Sequence, residues 1–144
     1  MAKIGFTGSR FGPTSDQAEM LKFWIGSVEE VHHGDCVGAD ATADAIAASY
    51  GTRRVAHPPV RAEFRAWCQT EETRPERPYL TRNHDIVDET DFLVATPSGP
   101  EHLRSGTWAT IRYARKKDKS VVIIWPDGTC EGRWDREGES SDEG

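Results

Sequence analysis

Lys3-Ile4-Gly5-Phe6-Thr7-Gly8-Ser9-Arg10-Phe11-Gly12-Pro13-Thr14-Ser15-Asp16-Gln17 opens the chain with an apolar run, a glycine-containing turn and a helix start, and that order recurs downstream. Lys3 to Thr7 reads as a short strand closed by Gly8. Thr14-Ser15-Asp16-Gln17 is a T-x-x-Q capping box, which satisfies two backbone donors at a helix N-terminus reciprocally. Leu21, Trp24, Ile25 and Val28 then recur at helical spacing and give that helix one buried stripe.

Working outward, Glu30-Val31-His32-His33 is a second strand, followed by a Gly34–Gly38 loop and a helix from about 39 to 50 in which Ala43, Ile46, Ala47 and Tyr50 share a face. Arg53 to His57 is a third strand, stopped by Pro58-Pro59, and residues 62–68 read as a short amphipathic helix. Residues 69–78 carry two prolines and five charges and are expected to be a surface loop or lid. A helix is predicted over 79–89, a strand over 91–96, and a Pro/Gly-containing loop over 97–104. Ser105 stands at the N-cap of a helix from about 106 to 117, whose last turn carries Arg115, Lys116 and Lys117 as the helix dipole prefers. Val121-Val122-Ile123-Ile124-Trp125 is an uninterrupted apolar run, the mark of a parallel strand buried on both faces.

Strands alternating with helices at this spacing imply right-handed crossovers. The expected fold is α/β: a Rossmann-like, doubly wound parallel sheet of about five strands with helices on both faces. At 144 residues the chain fits one domain, assigned to 1–130. Residues 131–144 hold six acids against two arginines, so they carry −4 of the net −6, and this tail is expected to be disordered. The body is thus close to neutral and lacks the basic surplus that drives tight binding to a phosphate backbone, so nucleic acid is not expected as a partner. No apolar run approaches the ~20 residues that cross a bilayer, and no charged-then-apolar leader opens the chain. Cys36, Cys68 and Cys130 are odd in number and widely spaced, which fits a reducing, cytoplasmic setting.

In open parallel sheets, ligands bind beyond the carboxyl ends of the strands, where loops lead into helix N-termini with unpaired N–H groups. Three loops have that placement: Gly8 to Gly12, Gly34 to Asp40, and Pro97 to Thr107. Glycine lets backbone approach an anion, Ser and Thr hydroxyls add donors, and the helix N-terminus adds a favourable field. Gly8, Ser9, Arg10, Gly34, Gly38, Asp40, Arg104, Ser105, Gly106 and Thr107 are the candidate ligand-binding residues from these loops, with Arg10 and Arg104 placed for bidentate contacts.

His32, His33 and Cys36 invite a metal reading, but no second cluster completes a ligand set at a recognised spacing, so no metal is expected. Among the tryptophans, Trp24 and Trp125 fall on core positions. Trp108, in a first helical turn, is assigned to packing as well.

Taken together, Ile4-Gly5-Phe6-Thr7-Gly8-Ser9-Arg10, His33-Gly34-Asp35-Cys36-Val37-Gly38-Ala39-Asp40, Arg82-Asn83 and Arg104-Ser105-Gly106-Thr107 resemble the SLOG superfamily over roughly residues 3–128. That group includes the LOG ("lonely guy") phosphoribohydrolases and the Rossmann-like core of the DNA-processing protein DprA. In length and pattern the chain is most similar to the small stand-alone members, often encoded by phages and bacteria. The resemblance implies roles for Arg82, matching the LOG arginine that acts at the N-glycosidic bond of a nucleoside monophosphate, and for Asn83 beside it. Gly106-Thr107 match the family's GT, but the catalytic glutamate position falls on Thr110, which cannot supply an ionised carboxylate. Asp40, Asp85 and Glu101 lie near the loops without matching that position.

The first expectation is therefore binding of a nucleotide or nucleotide-derived signal, by a sensor or sequestering protein without a cofactor. An alternative is nucleoside monophosphate N-glycosidase activity, with Arg82 catalytic. A further alternative is DprA-like single-stranded DNA binding, against which the charge balance speaks. Members of the superfamily commonly assemble, so a homo-oligomer is expected, with the arginine-rich 61–82 stretch contributing.

Overall fold

A computed structural model describes residues 2–132, and the remainder of the expected acidic tail lies outside the described residues. In chain order the elements are β1 (Lys3–Gly8), α1 (Ser15–Gly26), β2 (Glu30–His33), α2 (Ala39–Tyr50), β3 (Arg53–Ala56), β4 (Glu72–Thr73), α3 (Tyr79–Asp88), β5 (Phe92–Thr96), α4 (Gly106–Lys116), β6 (Ser120–Ile124) and β7 (Cys130–Gly132). They form one sheet of seven strands in the order β4-β3-β2-β1-β5-β6-β7. All neighbours are parallel except β6 and β7. The α/β class and the parallel crossovers agree with the sequence, but the strand count is seven rather than about five.

The two additional strands sit at the edges. β4 falls in the 69–78 stretch read as a loop, and it is held by charge rather than by apolar contact. Arg54 donates to Glu71 from its backbone N–H (2.7 Å) and from Nη2 (2.9 Å), while Arg53 Nη2 donates to Glu72 (2.8 Å). β7 pairs antiparallel with Val122 to Ile124 through Cys130, Glu131 and Gly132. Residues 62–68 also depart from expectation: only Ala62–Phe64 forms a short 3-10 turn, and the rest is irregular, with Trp67 at φ +60°.

Alternation along the central strands divides the core in two. Phe92, Val94, Val122 and Ile124 pack with Ile4, Phe6 and the buried faces of α1 and α2. Leu93, Ala95, Val121 and Ile123 pack with Val87, Trp108, Ile111 and Ala114 from α3 and α4. This two-sided burial is what a continuous Val/Ile run in a parallel sheet requires. The capping box at Thr14 forms as read, with Gln17 N–H donating to Thr14 Oγ1 (3.0 Å) and Thr14 N–H donating to Gln17 Oε1 (2.9 Å). Ser105 caps α4 by accepting from the Trp108 N–H at 3.1 Å, an arrangement that contributes about 1 kcal/mol.

The charged β3–β4 edge has a pH signature. Hydrogen bonds from the Arg54 side chain and backbone hold the Glu71 carboxyl down to about 2. For Asp44 burial opposes ionisation, but hydrogen bonds from His33 and Arg54 and the charge of Arg54 outweigh it and keep the carboxyl below its usual range. Groups depressed in the folded state add stability above their unfolded pKa values, ~4 for carboxyls, and lose it as pH falls through the folded values. The urea midpoint is expected to fall between about pH 4.5 and pH 2 more steeply in the parent chain than in Arg54→Gln. Parallel curves for the two proteins would show that Arg54 contributes nothing to the acid sensitivity.

Candidate functional site

The chain leaves β1 toward β2 on one side of the sheet, while β5 lies on the other, and Gly8 at the end of β1 pairs with Thr96 at the end of β5. Loops from neighbouring strands diverge at this switch point and open a crevice at their carboxyl ends. A cavity of about 1030 Å³ occupies it.

The cavity is built on Arg82, in the first turns of α3. Its side chain is only 4% exposed, its Cζ lies 4.7 Å from the Tyr79 ring centroid, and its Nη2 donates to Cys36 Sγ at 3.2 Å. Among the described residues, Arg82 Nε and the Nδ2 of the neighbouring buried Asn83 have no hydrogen-bond partner. Gly34 makes room for this guanidinium: a Cβ there would lie 1.3 Å from Arg82 Nη1. Asp40 shares the floor, its Oδ2 accepting from the Cys36 N–H at 3.1 Å. Burial pushes the Asp40 carboxyl up, against the opposing pull of His33, Arg82 and the Cys36 N–H.

The walls come from the first and last loops. Gly8, Ser9 and Arg10 face Arg104, Ser105, Gly106 and Thr107 across the opening, and the first N–H groups of α4 have no intrahelical acceptors. All of the residues expected in the site line the cavity except Gly34 and Gly38, which stand behind it. Gly38 holds the first loop in place: it adopts φ +96°, and Ala39 N–H donates to Ser9 O at 2.9 Å. Thr110 also lines the cavity, but its hydroxyl donates to Gly106 O at 2.9 Å and is spent on its own helix. Asp85 instead pairs with Arg77 and Glu101 with Arg112, both at the surface.

Two features have no counterpart in the sequence reading. The mouth is rimmed by apolar side chains, with Phe11 at 88% and Leu103 at 86% exposure joined by Val60, Phe64 and Leu80. One signal was present: Phe11 interrupts an otherwise small and polar loop. The second feature is Asp35, fully buried, which accepts from Arg65 Nε (2.7 Å) and from the Cys68 N–H (2.8 Å) and so hangs residues 61–68 on the Gly34–Gly38 loop as one wall of the cavity. Trp108 is 4% exposed and donates from Nε1 to Gly99 O at 3.1 Å, tying down the third loop from the packing position expected of it.

No helix among the described residues is long and apolar enough to cross a membrane. No protein-family model matches the sequence, and no curated protein matches it. Solved structures do match. The molybdenum cofactor binding protein from the phototrophic bacterium Rippkaea orientalis aligns with a TM-score of 0.70 at 19% identity, over 86% of this chain and 76% of that one. DprA from Streptococcus pneumoniae aligns with a TM-score of 0.65 at 18% identity over 86% of this chain, which spans only 50% of DprA. The Moco Carrier Protein from Chlamydomonas reinhardtii aligns with a TM-score of 0.56 at 20% identity, over 85% of this chain and 75% of that one. These likenesses, all at 20% identity or less, are of fold: a Rossmann-like α/β architecture, in agreement with the sequence expectation.

Proposed function

We propose that the cavity binds a nucleotide or nucleotide-derived signal, with its phosphate on Gly8-Ser9-Arg10 and Ser105-Gly106-Thr107 and with Arg82 and Arg104 assisting. The observation that carries this reading is the gathering of Arg10, Arg82 and Arg104 with the N-terminal turn of α4 around one cavity at the carboxyl ends of β1 and β5. Guanidinium groups beside unpaired helix N–H groups favour an anionic oxygen ligand. A volume of about 1030 Å³ far exceeds a bare phosphate, and the apolar rim suits the flat face of a base. Two proteins of the same fold are named for binding or carrying a small ligand, the molybdenum cofactor.

Binding rather than hydrolysis is favoured because Thr110 stands where a catalytic glutamate would, with its hydroxyl committed to Gly106 O. The test is calorimetric titration of a panel of nucleoside phosphates and the molybdenum cofactor, alongside native mass spectrometry of freshly purified protein, which also counts subunits. At least one nucleotide is expected to bind, and Arg82→Ala is expected to weaken it by about 10- to 150-fold, the loss typical of hydrogen bonds to a charged group. Release of free base from a nucleoside monophosphate would replace this reading with N-glycosidase activity. Preference for the molybdenum cofactor over every nucleotide would overturn the ligand class, and a salt-sensitive mobility shift with single-stranded DNA would favour the nucleic-acid alternative.

A further inference from the structure

Beneath the C-terminal end of α3, away from the cavity, three side chains distant in sequence converge: His32 on β2, His57 just beyond β3, and Glu89 at the C-cap of α3. His32 Nδ1 lies 2.8 Å from His57 Nε2. Glu89 Oε1 lies 3.9 Å from the first nitrogen and 4.0 Å from the second. Both histidines are 1% exposed, whereas Glu89 reaches the surface.

The far side of His32 is held by a carboxylate. Its Nε2 is 2.6 Å from Glu30 Oε2. An ionised carboxylate only accepts, so Nε2 carries the proton and Nδ1 presents a lone pair toward His57 and Glu89. A carboxylate behind an imidazole is the device that fixes the tautomer and orientation of metal-binding histidines.

We propose that His32 Nδ1, His57 Nε2 and Glu89 Oε1 form a binding site for a divalent transition metal, with zinc the best match to two imidazoles and one carboxylate. Ligand atoms about 2.0–2.2 Å from a tetrahedral zinc are separated by roughly 3.3 Å. The separations of 2.8, 3.9 and 4.0 Å therefore need adjustments of about 0.5–0.7 Å. On binding, the His57 proton moves from Nε2 to Nδ1, so the ring stays neutral and no net proton is released. Three protein ligands leave one coordination position for water or a further group.

The surrounding charge does not itself attract a dication, so binding rests on the ligand geometry. Glu30, Glu72 and Glu89 are matched by Lys3, Arg53 and Arg74, and Arg82 adds a further positive charge acting on His57. Arg74 Nη2 and Nε donate to the same Glu89 Oε1 at 2.7 and 3.1 Å, and Arg74 keeps Glu72 as a partner through Nη1 when the metal takes that oxygen. A second grouping, His33, Asp44 and Cys68, is a poorer candidate. His33 Nδ1 accepts from the Asp35 N–H at 3.0 Å, so Nε2 is protonated and donates to Asp44 at 2.9 Å. A metal on that Nε2 would force the proton onto Nδ1, against the Asp35 N–H.

The experiment is titration of the chelator-treated full chain with Zn²⁺ by calorimetry and with Co²⁺ by visible absorption. One equivalent per chain is expected, with the intense ligand-field bands of low-coordinate cobalt. His57→Gln is expected to abolish that binding. Glu30→Gln, which touches no metal in the proposal, is expected to weaken it 10- to 100-fold. Glu89→Gln lies at the surface, leaves the fold intact by circular dichroism, and is expected to weaken binding at least tenfold. Cys68→Ser is expected to change nothing. No stoichiometric binding, binding that survives Glu89→Gln at full strength, or binding that disappears in Cys68→Ser would each overturn the site.

Discussion

Replacing Asp35 with alanine is expected to destabilise the protein by about 3–5 kcal/mol, the loss that follows when one partner of a buried ion pair is removed. The Asp35 carboxylate is fully buried, and its partner Arg65 has a side chain only 12% exposed. Without Asp35 the guanidinium keeps its stacking on Trp67, at 4.0 Å from the ring centroid, and a distant contact with Glu76 at 3.6 Å. The Cys68 N–H loses its acceptor as well. Unlike a core truncation, this change has a local readout. Residues 62–68 should exchange their amide protons faster and become susceptible to protease while β1, β5 and β6 stay protected. Asp35→Asn keeps an acceptor for Cys68 but not the charge, and should fall between the parent and Asp35→Ala. An unfolding free energy for Asp35→Ala within about 1 kcal/mol of the parent, from urea titration by the usual linear extrapolation, would mean that the 61–68 wall is held some other way.

Gly38→Ala is expected to cost about 3 kcal/mol or more, from two independent sources. With φ +96° and ψ −127°, Gly38 occupies a region nearly closed to residues with a Cβ, and entering it costs about 1–3 kcal/mol. A Cβ there would also lie 2.1 Å from the Arg10 carbonyl oxygen and 2.7 Å from its Cα, so backbone rather than a flexible side-chain tip must move. Forced overpacking of this kind adds about 1–3 kcal/mol. Relief pushes the Ser9-to-Gly12 turn outward and breaks the bond from Ala39 N–H to Ser9 O. Loss of stability measured in urea should therefore be accompanied by loss of ligand affinity, because Arg10 leaves the cavity wall. Unchanged affinity alongside lowered stability would separate the first loop from ligand binding.

Elements with a clear apolar period were legible from residues alone. β5 and β6 carry alternating halves of two cores, and α1 and α4 announce themselves through Thr14 and Ser105. β4 and β7 were not legible, because Glu72-Thr73 and Cys130-Glu131-Gly132 are polar edge strands whose pairing depends on partners far along the chain. Residues 62–68 show a helical apolar period, yet Asp35, which holds Arg65 and the Cys68 N–H, decides their conformation. The site divides in the same way. Its loops follow from glycines and helix caps, whereas the orphaned donors of Arg82 and Asn83, the apolar rim, and the meeting of His32, His57 and Glu89 arise only when elements are assembled.

The placement of β7 has a further consequence, for behaviour at high concentration. Val121 to Trp125 is the segment best suited to cross-β stacking, being β-branched, aromatic, uncharged and free of proline. Among the described residues it lies one strand in from the margin, screened by the three paired residues Cys130, Glu131 and Gly132. On the opposite margin, β4 is two residues long and flanked by Glu71 and Arg74, a brevity and charge that discourage docking of another sheet. Fibril formation would therefore start at the β7 side, and the tendency to form fibrils would track the fraying of those three residues.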